Sequence, residues 1–206
     1  TEAYEYYLKG VYRYRNTDIR TSPSSYTYPS NTEGRLVARG LFQKAIELDD
    51  NLLEAKDWLA WTFIESGDYN KGGKIFTTNL KQAEKLGDIG AVGTSLSGIG
   101  FVYFTKGRFE KALDYTNRSL KIFKDINDKE KQSVTLFFLT RIHCLIGTLD
   151  KAFDYNRRNL EISKEIKDER GVGSAMIKVT ESFKLLSNKC SNAFIEEIID
   201  TPSIDL

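Results

Sequence analysis

The residues best suited to chemistry are few. A single histidine, His143, stands beside Cys144, and the second cysteine, Cys190, comes 46 residues later. A thiol next to an imidazole is the start of a nucleophilic or zinc site, but zinc needs four ligands and a thiolate nucleophile needs a positioned base. With no second histidine and no C-x-x-C spacing, neither set is completed and no metal is expected. The run GAVGTSLSGIG, residues 90–100, has the glycine content of a phosphate cradle. It lacks the Gly-Lys-Ser/Thr that would hold phosphate and magnesium, and no strand-like segment precedes it, so no nucleotide is expected there. Carboxylates such as Glu110 beside Lys111, or Glu161 near Lys164 and Glu165, have the spacing of solvated helix faces rather than of an acid–base pair. No catalytic residue, metal or cofactor is therefore expected.

Composition narrows the partners. The 206 residues carry 30 basic and 29 acidic side chains, a net charge of +1, without a block of like charge. Neither nucleic acid nor an anionic membrane surface is indicated. No apolar run reaches the roughly 18 residues of a membrane span, and the opening TEAYEYYLKG has neither a basic n-region nor an apolar h-region. Two cysteines can form at most one bridge, so a reducing, cytoplasmic compartment is the expectation.

The elements that would position any site are announced by an internal repeat. GRFEKALDYTNRSL at residues 107–120 returns as GTLDKAFDYNRRNL at 147–160. Gly67, Gly107 and Gly147 are spaced by 40, each followed two positions on by Tyr69, Phe109 or Leu149, and Asp88, Asp128 and Asp168 keep the same step. Between these markers apolar residues fall at helical spacing, as in Leu96, Ile99 and Tyr103 before Gly107 and Phe109, Ala112, Leu113 and Leu120 after it. Each period thus predicts two helices and two turns. Glycine ends the first helix, where the chain enters a left-handed conformation, and aspartate sits where its side chain can cap the next hairpin. A lone hairpin cannot bury its apolar stripe, so successive hairpins must stack.

These residues resemble the tetratricopeptide repeat. Leu96, Ile99-Gly100, Tyr103, Gly107-Arg108-Phe109, Ala112 and Ser119 match the family pattern; Leu59-Ala60, Phe63, Gly67-Asp68-Tyr69 and Phe76 match it one step earlier, with Gly72 at the small packing position, and Leu136, Leu139, Gly147 and Ala152 one step later. The resemblance implies an all-α, right-handed superhelical solenoid of antiparallel helix hairpins, with about four to five repeats in one domain spanning 1–206. The expected repeats are 1–50, 51–88, 89–128, 129–168 and a worn fifth or C-terminal cap at 169–206. The first, carrying AYEYYLKG and then Ala38, Phe42 and Ala45, is interrupted at 16–33 by a Pro- and Ser-rich loop. That loop reads as a tolerated surface insertion, or as a flap in which Tyr26 and Tyr28 fold over one end of a groove or bind a partner. A 40-residue step exceeds the common 34 and is similar to the longer-helix variants of kinesin light chains and bacterial signalling regulators. The opening also resembles repeat regions that accompany bacterial nucleotide cyclases and transcription regulators. His143 falls where the pattern places a packing tyrosine, which implies a structural role.

In the family the first helix of each unit lines a concave wall. Carried over, the wall comprises Asp57, Trp58, Trp61 and Ile64; Ser97, Gly98, Phe101 and Phe104; Phe137, Phe138, Arg141 and Cys144; and Lys178, Glu181 and Lys184. Asp57 and Trp61 stand where family members that clamp a terminal carboxylate have lysines and asparagines, which argues against that mode. An aromatic groove instead predicts a noncatalytic module binding a protein, peptide or amphipathic helix by apolar burial, with Arg141 pairing a carboxylate and Gly98 leaving room for the ligand. The alternatives are a regulatory or sensory segment of a larger signalling enzyme such as a nucleotide cyclase, and homo-oligomerisation through Phe183, Leu185, Phe194 and Ile198 at the C-terminal end.

Overall fold

The computed structural model describes residues 1–16 and 32–168. Most of the interrupting loop with Tyr26 and Tyr28, and the fifth unit with Lys178, Glu181, Lys184, Cys190 and its apolar residues, lie outside the described residues. Among the described residues there are eight helices and no strand: α1 (Glu2–Asn16), α2 (Thr32–Leu48), α3 (Leu53–Glu65), α4 (Tyr69–Leu86), α5 (Ile89–Thr105), α6 (Phe109–Asp125), α7 (Lys129–Leu145) and α8 (Leu149–Glu165). The described residues divide into two compact units, the first ending at residue 131 and the second beginning at residue 132.

The turns form as the periodic markers require. Gly67, Gly107 and Gly147 have φ of +85°, +68° and +78°, a region L side chains enter only at a cost. Asp88 accepts from the Ala91 amide at 2.9 Å and Asp128 from the Lys131 amide at 3.0 Å, capping α5 and α7. Asp168 is the last described residue. Asp68 also caps α4, through the Lys71 amide at 3.0 Å, whereas Arg108 and Thr148 at the same register supply no side-chain cap. A further left-handed position follows the second helix of the last three described hairpins: Gly87 (+72°), Asn127 (+54°) and Lys167 (+57°), again 40 apart.

In the first unit, α1 to α6 pack each against the next in chain order, and α3 also touches α5. Phe42, Phe76, Phe123, Leu53, Leu96, Ala60 and Ala112 make up much of the interior. Helix α5 is buried almost all round, from Ser95 to Gly100, which its high apolar and glycine content permits. Three of the four glycines of GAVGTSLSGIG, all but Gly90, therefore have a packing purpose. A Cβ at Gly93 would meet the Phe123 ring at 2.7 Å, one at Gly98 the Phe76 ring at 2.5 Å, and one at Gly100 the Thr116 hydroxyl at 2.6 Å. Gly72 belongs to the same set, since Ile64 Cδ1 lies 2.6 Å from where its Cβ would be. The second unit buries Leu136, Leu139, Ile142 and Ala152 from α7 and α8, and ties the two helices together by a hydrogen bond from Ser133 Oγ to Asn159 Oδ1 at 2.6 Å.

Candidate binding surface

Trp61, Phe101 and Phe104 are half-buried and in ring contact along α3 and α5. Trp61 meets Phe101 edge-on with centroids 5.2 Å apart, Phe101 lies 6.0 Å from Phe104, and Phe104 continues to Phe109 at the start of α6 at 6.2 Å. The ladder is held from below, because Trp61 also stands edge-on to the fully buried Phe76 at 5.5 Å. Such contacts immobilise large rings, part of whose surface stays accessible.

Trp58, one helical turn back, leans the other way. Its ring packs on Phe42 at 6.2 Å and on Tyr14 at 4.9 Å, with the Arg15 guanidinium 5.7 Å from its centre, so it joins α3 to the first hairpin. In the second unit Phe137 is half-buried, with Phe138 edge-on at 6.1 Å and the Arg141 guanidinium 5.8 Å from its ring.

Five wall residues expected from the family pattern are buried instead. Asp57 is 5% exposed, Ser97 8% and Phe138 7%, and Ile64 belongs to the core around Phe76. Gly98 does not leave a space for a ligand, because the Phe76 ring occupies that space. For the four on α3 and α5 the reason is that these helices are covered by neighbouring helices on more sides than a period read along one helix reveals.

Asp57 illustrates the consequence. Its Oδ1 accepts from Asn79 Nδ2 at 2.8 Å and from Ser95 Oγ at 3.3 Å, joining α3, α4 and α5 at one polar point. Burial pushes its carboxyl up to about 7, against the lowering influence of the two hydrogen bonds and of Lys131. Asn79 Nδ2 also donates to the Leu53 carbonyl at 3.1 Å, while its own Oδ1 has no hydrogen-bond partner. The signal that could have found this group was the polar residue recurring at mid-helix, Asn79, Ser119 and Asn159, on the 40-residue step.

His143 is 4% exposed and stacks on Tyr155 with centroids 5.3 Å apart, its Nδ1 lying 2.6 Å from Thr148 Oγ1. Burial, with Lys151 nearby, lowers its pKa, so the ring is a neutral packing element. Tyr103 stacks on Tyr115 in the same manner one step earlier, at 5.4 Å. Among the described residues no group of three or more His, Cys, Asp or Glu could hold a metal, and no helix is long and apolar enough to cross a membrane.

Residues 91–165 match the model of the tetratricopeptide repeat family. The match covers about a third of the chain, and the helix hairpins have a tetratricopeptide-like fold. The fold is similar to that of a Signal Transduction ATPase with Numerous Domains with a tetratricopeptide repeat sensor from Pyrococcus horikoshii, at 20% identity and a TM-score of 0.65, covering 76% of this chain and 25% of that one. It is similar also to a Rap protein complexed with competence and sporulation factor (16% identity, TM-score 0.68, 91% and 54% covered). A third similar structure is a putative kinesin light chain with nearly identical repeats from Podospora anserina (9%, 0.62, 91% and 88%). The chain thus spans about a quarter of the ATPase and about half of the Rap protein. No curated protein sequence matches it.

Proposed function

We propose that this chain is a noncatalytic protein-interaction module whose recognition surface is the aromatic ladder Trp61–Phe101–Phe104. The observation that carries the proposal is that these rings form one contiguous half-buried row braced by Phe76, in a tetratricopeptide-like fold that supports protein interaction. The occupant that suits such a row is a peptide or amphipathic helix presenting apolar side chains at helical spacing. Phe137 with Arg141 offers a second aromatic and cationic element. A cytoplasmic setting accompanies this reading, as the scarcity of cysteine favours it. A Rap protein of similar fold, complexed with competence and sporulation factor, is consistent with it.

Selection of a displayed peptide library on the chain tests the proposal. Enriched peptides should lose binding to Trp61→Ala and Phe101→Ala while both variants remain helical by circular dichroism. Undiminished binding to both variants would sink it. A second reading, a regulatory segment of a larger signalling enzyme, is favoured by the sensor region of the Pyrococcus horikoshii ATPase. It requires that the gene encode a catalytic domain in the same polypeptide, which its full reading frame reveals.

A further inference from the structure

Away from the aromatic ladder, and sharing no residue with it, a cavity of about 320 Å³ opens between α4, the end of α5 and the start of α6. Its wall is formed by Ile99, Val102, Tyr103 and the bare backbone of Gly73, and its rim carries Lys74, Lys106 and Arg108. The volume is at the small end of the range for organic ligand sites.

The charge at this rim is uncompensated. Among the described residues Lys74, Lys106 and Arg108 pair with no carboxylate, and all three stand on the rim of one cavity. Asp68, the nearest acid before α4, is engaged by the Lys71 amide and the Lys71 ammonium, the latter at 3.5 Å. Lys106 is tethered at the rim by donating to Asn70 Oδ1 at 2.9 Å. Tyr103 is held as a wall by its stack on Tyr115 and by Lys111, whose Nζ is 5.4 Å from the Tyr103 ring centre.

The arrangement is also peculiar to this place in the repeat. One 40-residue step later Gly73, Lys74, Lys106 and Arg108 are replaced by Leu113, Asp114, Ile146 and Thr148. A leucine would occupy the space that Gly73 leaves open, since a Cβ there already reaches Val102 Cγ1 at 3.3 Å, and the three cations would be lost. A demand of the fold itself would recur with the period; this does not.

We propose that the cavity binds a small organic phosphate monoester, its apolar body against Val102 and Tyr103 and its phosphate at Lys74, Lys106 and Arg108. A phosphate monoester brings close to two negative charges and three strong acceptor oxygens, which matches three cations better than the single charge of a carboxylate does. The volume, about 320 Å³, suits a small molecule.

The test uses the purified chain with phenyl phosphate as the probe, in low-salt, phosphate-free buffer, followed by saturation-transfer NMR and thermal unfolding. Saturable binding with a raised Tm is expected. Affinity should fall by about tenfold or more in Arg108→Thr and in Lys74→Asp, the loss of one charge-assisted contact, and binding should vanish in Gly73→Leu. Should Gly73→Leu fold poorly, the two exposed charge variants carry the test. Four results would overturn the proposal: no saturable binding at millimolar probe, undiminished binding in both charge variants, equal binding of phenol or of inorganic phosphate, or tighter binding of a phosphotyrosyl peptide than of phenyl phosphate.

Discussion

The hairpins α3–α4 and α5–α6 occupy the same register of the 40-residue step and differ in what fills them. In α3–α4, Asn79 crosses to the Leu53 carbonyl and to the buried Asp57 carboxyl. In α5–α6 the matching pair of positions is Ser119 and Gly93, and Ser119 Oγ donates to the Gly93 carbonyl at 2.8 Å. The cross-helix bond to the first helix is kept while the donor changes. Where α3 has Leu53, Trp58 and Ala60, α5 has Gly93, Gly98 and Gly100, and the bulk passes to Phe76, Phe123 and Thr116 on α4 and α6. A repeat of this kind therefore preserves volume and bridging rather than residue identity.

The comparison breaks most visibly at the ring that fills Gly98. Phe76→Ala should destabilise the chain by about 3–5 kcal/mol in urea unfolding, the usual result of emptying a packed aromatic site. Gly98→Ala, which forces a Cβ into that ring, should cost about 1–3 kcal/mol, and Phe76→Leu should recover part of it in a double-mutant cycle. Additive losses would mean that the two positions do not share the space.

The polar bridges should separate next. Asn79→Ala removes the donor to a buried carboxyl and should cost about 2–3 kcal/mol, against about 1 kcal/mol for Ser119→Ala, which breaks one neutral bond. Equal losses would show that Asp57 gains nothing from its partner.

Asp57 sets the third contrast, one of pH. Its carboxyl titrates near 7 when folded and near the ordinary 3.8 when unfolded, so the folded state holds the proton more tightly. Stability contributed by this group is complete below about 4, declines as pH rises, and is lost above about 7. The difference in urea midpoint between the chain and Asp57→Asn should shift across that window in favour of the variant as pH rises. A difference independent of pH would place the titration elsewhere.

The smallest effect lies at the hairpin ends, where Gly87, Asn127 and Lys167 share a left-handed backbone. Lys167→Gly should raise the unfolding free energy by about 1 kcal/mol or less, because glycine adopts that conformation without the Cβ penalty even though it also loosens the unfolded chain. No gain would mean that the Lys167 backbone relaxes out of the left-handed region in solution.

Much of the fold was legible in the residues. The glycine and aspartate markers placed the turns, and helical spacing between them placed the helices that carry the aromatic ladder. The proposed recognition surface was legible only in part: Trp61, Phe101 and Phe104 share a half-buried row, while Asp57, Ser97, Gly98 and Phe138, assigned to the same wall by pattern, are interior. Helical spacing tells which residues share a side of one helix. It does not tell how many other helices cover that side, and α5 is covered nearly all round.

Helix, turn and cap followed from short-range chemistry: a left-handed φ admits glycine, an aspartate oxygen reaches an amide three residues on, and apolar stripes recur every three or four positions. Each of these is settled within one turn of chain, so the linear order of residues sufficed. Which groups became buried, which glycine was filled by a ring and which left a cavity, and where a carboxyl met its amide depended on three helices arriving at one point. Those outcomes belong to packing, where each side chain's surroundings are set by residues 20 to 40 positions away in the chain.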